Sequence, residues 1–158
     1  MSATQTHTND DDRADRRRKM LGTLTIMPVA AMAERYAALG ALPQALPVRG
    51  PEIGLVMLNG RMGGGGAPFK LGEASVTRAT VRIESGEIGQ AMVLGRETHK
   101  AQMIAHLDAL WQHDDWRGIV EREVVVPAME IEEAAVRDRA EETAATRVDF
   151  FTLARGED

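Results

Sequence analysis

At 158 residues, 44% hydrophobic and 27% charged, the chain has ordinary globular usage and is long enough to bury one substantial core. A net charge of −5 at pH 7 argues against a general nucleic-acid binder, which needs a basic footprint. The absence of cysteine excludes disulfides, thiol catalysis, iron–sulfur ligation and cysteine-based zinc sites, and no window approaches the roughly 20 apolar residues of a membrane span.

Residues 1–12 are polar and acidic, without periodicity, and predict a disordered tail ahead of a single α+β domain over 13–158. Arg16 to Lys19 followed by the apolar stretch Met20 to Ala33 imitates an export signal. Thr23, Thr25 and Pro28 dilute that stretch, however, and Val29, Met32, Ala33, Tyr36 and Ala37 keep helical spacing straight past the Ala31-Met32-Ala33 site. Two short amphipathic helices, about 13–25 and 28–39, account for it better, with Pro28 suited to a first turn and Gly40 to an end.

After the connector bearing Pro43, Pro47 and Pro51 the texture turns to β. Residues 52–62 predict a largely buried strand, with Val56 and Leu58 on one face and Ile53, Leu55 and Met57 on the other. Phe69 to Leu71 is extended, as strand or loop. Ser75 to Glu84 alternates, a two-residue turn at Ser85-Gly86 follows, and Glu87 to Arg96 returns, so a hairpin is expected there. Glu97 to His113 predicts a helix with a buried stripe of Met103, Ile104, Leu107, Leu110 and Trp111. Ile119 to Val126 predicts a strand stopped by Pro127, then a charged helix over about 128–145, and Arg147 to Leu153 a closing strand carrying Phe150 and Phe151. The sum is an α+β fold: a mostly antiparallel sheet with helices packed mainly on one face, preceded by two short N-terminal helices.

The most unusual stretch is Asn59-Gly60-Arg61-Met62-Gly63-Gly64-Gly65-Gly66. Consecutive glycines lose the most backbone entropy on ordering, so a folded chain keeps them for positive φ angles or close approach. Their N–H groups suit an anion, but Lys70 lies outside Walker grammar and Ala67-Pro68 stands where a dinucleotide fold would open a helix. Arg61, Arg78, Arg82 and Arg96 fall at strand ends or on the polar face, where guanidinium groups bind phosphate or phosphonate oxygens bidentately or are simply solvated. His99, His106 and His113 recur every seven residues, about 10 Å along a helix axis, too far apart for one ion, and read as a solvated face. No isolated acid/base pair or nucleophile elbow occurs. The residues alone leave a soluble cytoplasmic α+β domain with a candidate anion site and no self-contained catalytic constellation, and one function open to it is a stand-alone binding module for phosphorylated ligands.

Gly60-Arg61-Met62-Gly63-Gly64, with Phe69, Gly72-Glu73-Ala74, Thr77-Arg78-Ala79, Val81-Arg82, Gly89, Gly95-Arg96, Leu107-Asp108-Ala109-Leu110 and Arg147-Val148-Asp149-Phe150-Phe151-Thr152, resembles the PhnG family, the G subunits of bacterial carbon–phosphorus lyase core complexes. The resemblance runs from about residue 16 to the C-terminus. It implies a cytoplasmic, non-autonomous subunit working with H, I and J subunits. The complex converts ATP and an alkylphosphonate to ribose 1-alkylphosphonate 5-triphosphate and adenine. Nucleosidase activity would lie chiefly with the I subunit and radical C–P cleavage with the iron–sulfur J subunit. This chain is expected to contribute no catalytic residue, metal ligand or cofactor of its own, ATP being a substrate of the complex. The candidate contacts to substrate or partner are Arg61, Gly63, Gly64, Arg78, Arg82 and Arg96. Gly65 and Gly66 carry no expected role.

Overall fold

Residues 98–112 hold the longest continuous buried run among the described residues, and this segment is the centre of the fold. In the structure, a computed structural model that describes residues 3–63 and 65–145 with side chains from 11 onward, every residue from Ile104 to Trp111 is buried. This central helix, α3 (Thr98–Gln112), is preceded by α1 (Ala3–Ile26), α2 (Val29–Ala38) and strands β1 (Leu46–Arg61), β2 (Pro68–Arg82) and β3 (Ile88–Leu94). After it come α4 (Asp114–Val120), a π-type segment Glu121–Val125 and α5 (Val126–Ala145). The strands form one antiparallel sheet in the order β1-β2-β3. Thus the α+β class, the antiparallel sheet and the two N-terminal helices match expectation, although α1 reaches back to Ala3 through the acidic stretch read as a tail. The predicted closing strand over 147–153, with Phe150 and Phe151, lies outside the described residues.

One sheet face meets α3, because Thr77, Ala79 and Val81 of β2, Ile83 just after it, and Ala91 and Val93 of β3 alternate inward at period two. Gly89 shows how tight that contact is. A Cβ there would lie 1.9 Å from the Ala105 carbonyl oxygen and 2.4 Å from the Ala109 nitrogen, so only glycine lets the strand lie against the helix. The β2–β3 connection is one residue longer than predicted. Ile83 donates to the Glu87 carbonyl at 3.1 Å and Gly86 donates to Ile83 at 3.0 Å, which leaves Glu84, Ser85 and Gly86 in the loop.

Asp108 joins three elements. Its side chain is fully buried in α3 and accepts from Arg17 Nε and Nη2 of α1, both at 2.7 Å, and from the Gln90 backbone N–H at 2.8 Å. The exposed backbone edge of β3 is thereby partnered by a side chain instead of another strand, which blunts it. Hydrogen bonding to Asp108 raises the Arg17 pKa above its ordinary value, against the opposing effect of burial. Nearby, Lys100 donates to the Thr25 carbonyl at 2.6 Å, tying the end of α1 to the start of α3.

The expected strand over 119–126 is helical. Trp116, Val120, Val124 and Ala128 recur every fourth residue, and the last three are buried against the core. The β-branched run suggests a strand by propensity, but this stripe is helical, and packing decides. Pro127 is accommodated without a break because the preceding turn widens: the Val126 N–H reaches the Glu121 carbonyl, five residues back. The histidine face is also not uniformly solvated. His106 is 4% exposed, with Nδ1 2.6 Å from the Tyr36 hydroxyl. Burial lowers its pKa while the Pro43 carbonyl pulls upward, yet Nε2 has no hydrogen-bond partner among the described residues. The i, i+7 spacing put this side chain on a face that α2 covers.

Candidate functional site

The feature that sets this chain apart is a two-stranded arm. β3 pairs with β2 only from Val76 to Arg82, whereas β1 pairs with β2 from Leu46 out to Arg61↔Pro68. Leu55–Arg61 and Pro68–Ser75 therefore project beyond the third strand, by roughly 20 Å at the rise of an antiparallel strand. On one face of this ribbon stand Ile53, Leu55 and Met57, and on the other Val56, Leu58 and Phe69. Leu71 is the extra residue of a bulge between the Leu58↔Gly72 and Asn59↔Lys70 pairs. Leu55 is 64% and Leu71 63% exposed, and Ile53, Met57, Leu58 and Phe69 are exposed as well. The sequence pattern predicts a largely buried strand; the structure corrects this, since among the described residues nothing covers either face.

Such an arm is energetically odd. An isolated two-stranded ribbon is marginal in water, and each large apolar side chain left exposed forgoes about 1.5–3 kcal/mol of burial. Contiguous exposed apolar surface on both sides of a projecting ribbon marks a contact with another molecule.

The glycine run forms the arm's tip. Gly63 takes φ +58°, and Gly66 donates to the Met62 carbonyl at 2.8 Å to close the turn. A Cβ on Gly66 would fall 2.5 Å from that same carbonyl oxygen, so Gly66 has a structural role that the sequence did not suggest. Arg61 reaches the Gly66 carbonyl at 3.4 Å and is otherwise open to solvent. Gly64 lies outside the described residues. The tip turns on its own carbonyl, and Arg61 and Gly63 stand there as exposed groups for another molecule to meet.

The remaining candidates are elsewhere. Arg82 is at the far end of the β2–β3 ladder, opposite Leu46 and Ile88, and Arg96 follows β3; both are exposed. Arg78 sits mid-sheet with partners the sequence did not single out. Its Nη2 lies 3.0 Å from Glu52 Oε1, which is also 2.8 Å from Arg49 Nη2. The signal was present as Arg49-Gly50-Pro51-Glu52, two opposite charges flanking a turn-forming pair, but nothing in it pointed to Arg78. Among the described residues no group of three or more His, Cys, Asp or Glu could hold a metal, and no helix is long and apolar enough to cross a membrane.

A family described as "Phosphonate metabolism protein PhnG" matches residues 15–156. The chain belongs to this family. It is also 46% identical over 153 residues to the alpha-D-ribose 1-methylphosphonate 5-triphosphate synthase subunit PhnG of Rhizobium meliloti (strain 1021), covering 96% of each chain. The PhnG match therefore takes in both the arm with its glycine tip and the Arg17–Asp108 joint. The relative is named as a subunit of a synthase.

Proposed function

We propose that this chain is a non-autonomous, accessory subunit of a cytoplasmic carbon–phosphorus lyase core complex and that the β1–β2 arm docks it to the H, I or J partners. The complex joins ATP to an alkylphosphonate: a phosphonate oxygen bonds to ribose C1′ as the C1′–N bond to adenine breaks. Adenine leaves with the electron pair and takes up a proton, and the product is ribose 1-alkylphosphonate 5-triphosphate. The transition state has oxocarbenium character, so water competes with the phosphonate for C1′. This chain holds partners in place and helps exclude water, with ATP as a substrate of the assembly and no cofactor of its own. The observation that carries the reading is the arm, apolar on both faces, in a chain whose relative is a synthase subunit. It supports a subunit over a stand-alone binding module, which would have no use for such a surface.

Co-expression of the four subunits with Leu55→Asp or Leu71→Asp in this chain tests the docking. Both side chains are exposed in the free chain, so its melting temperature should shift by no more than about 2 °C, while co-purification with the partners should fall at least tenfold. Wild-type yield of the assembled complex with both variants would remove the arm from the interface.

A further inference from the structure

A cleft of about 460 Å³ opens between α1 and the middle of the sheet, lined by Leu21 and Thr25 of α1, Arg49 of β1, Arg78 of β2, and Ala91 and Met92 of β3. That volume lies in the range of small-molecule sites. It is distinct from the arm's tip, and Arg78 is the one candidate contact residue in its lining among those described.

Its charges are arranged around one point. Arg49 and Arg78 bring Nη2 atoms to within 2.8 and 3.0 Å of a single oxygen, Glu52 Oε1. The sheet departs from regular pairing to do this, with register shifts between Pro47 and Arg49 and between Arg49 and Glu52; bulges of this kind re-aim side chains. Oε1 is shut off from solvent and is close enough to both guanidinium groups for ion pairing, yet no N–H is aligned on it as a hydrogen bond. Glu52 is thus a poorly seated internal anion between two arginines, and the trio keeps one net positive charge. All three side chains are partly solvent-exposed, so the trio can rearrange without unfolding the sheet.

We infer that this cleft binds an organic phosphate or phosphonate, its dianionic head between Arg49 and Arg78 in place of the Glu52 carboxylate and its apolar body against Leu21 and Met92. Two guanidinium groups converging on one position offer several donors to a tetrahedral, doubly charged head, which a planar monoanionic carboxylate cannot fill. The apolar wall requires a body beyond the head. This site does not depend on the subunit role, because it is complete within one chain.

Calorimetric titration of the full chain with phenylphosphonate tests it, with methylphosphonate, inorganic phosphate and benzoate as comparisons. Phenylphosphonate should bind saturably at one site, at least tenfold tighter than inorganic phosphate or benzoate, with methylphosphonate between. Arg78→Gln and Arg49→Gln should each raise Kd at least tenfold. Glu52→Gln removes the internal competitor and should lower Kd at least threefold, a gain that a merely structural ion pair would not give. Arg49 is 62% exposed, so Arg49→Gln remains readable if Arg78→Gln lowers the melting temperature. No saturable binding by the wild-type chain, a Kd unchanged in both arginine variants, or weaker binding by Glu52→Gln overturns the site. Inorganic phosphate or benzoate binding as tightly as phenylphosphonate overturns the ligand class.

Discussion

Replacing Arg17 by methionine keeps an apolar stem against α3 but removes both charged donors to Asp108. The carboxylate, fully buried, would then keep one of its three hydrogen bonds, that from the Gln90 N–H. Breaking a buried ion pair by deleting one partner costs about 3–5 kcal/mol, because the remaining charge is left uncompensated. Arg17 keeps 29% of its side chain exposed, so some water can reach the vacated position, and we expect the lower end, about 3 kcal/mol. For a chain of this size that is a fall of roughly 6–12 °C in melting temperature. Asp108→Asn preserves shape and an acceptor for Gln90 but loses the charge, at about 2 kcal/mol. The double variant buries no charge and should cost no more than Arg17→Met alone, a coupling of about 2 kcal/mol between the sites. Urea unfolding followed by circular dichroism measures all three. A cost under about 1 kcal/mol for Arg17→Met, or additive costs in the double variant, would show that the pair behaves as a surface salt bridge and does not join α1, α3 and β3.

Further outcomes follow from single contacts. Gly89→Val should abolish soluble expression or cost more than about 4 kcal/mol, since even a Cβ at that position meets the α3 backbone at 1.9 Å; a soluble variant with wild-type melting would refute the close packing of β3 on α3. Burial holds the His106 imidazole, which meets the Tyr36 hydroxyl, below its ordinary pKa. The unfolded chain then binds the proton first, so stability should be full above about pH 6.5 and decline as pH falls below it. His106→Gln should flatten the melting profile between pH 7.5 and 5.5, and an unchanged slope would assign the decline to other groups. Arg61→Ala, at the exposed tip, should lower phosphonate-dependent turnover of the assembled complex several-fold with assembly intact, as measured by adenine release and gel filtration; unchanged turnover would make Arg61 a residue of the turn alone.

What the sequence disclosed depended on whether a pattern had one physical explanation. Strict alternation over Ser75–Glu84 and Glu87–Arg96 admits only a one-sided hairpin, and β2–β3 is there. The stripe of α3 likewise left little choice. Val120 to Val126 carried two signals, β-branched propensity and a four-residue repeat, and the weaker one for isolated peptides won through packing on the core. The run from Ile53 to Leu58 encodes burial on both faces but not the identity of what buries it, so a strand expected in the core is found on an uncovered arm. Long-range partners were the least legible. Arg17 and Asp108 are 91 residues apart, and Glu52 meets Arg78 as a cross-strand pair that only the β1–β2 register brings together. Of the six candidate contact residues, Arg61 and Gly63 share the arm's tip, whereas Arg78, Arg82 and Arg96 are spread along the sheet.

The subunit assignment is tested most directly by adenine release from ATP in the presence of an alkylphosphonate, measured with this chain alone and with the H, I and J subunits added. The chain alone should release no adenine above the protein-free rate, and release should appear on assembly and be lost again with Leu55→Asp. Adenine release by the purified single chain would contradict a non-autonomous role, and full activity of the partners without this chain would contradict its place in the complex.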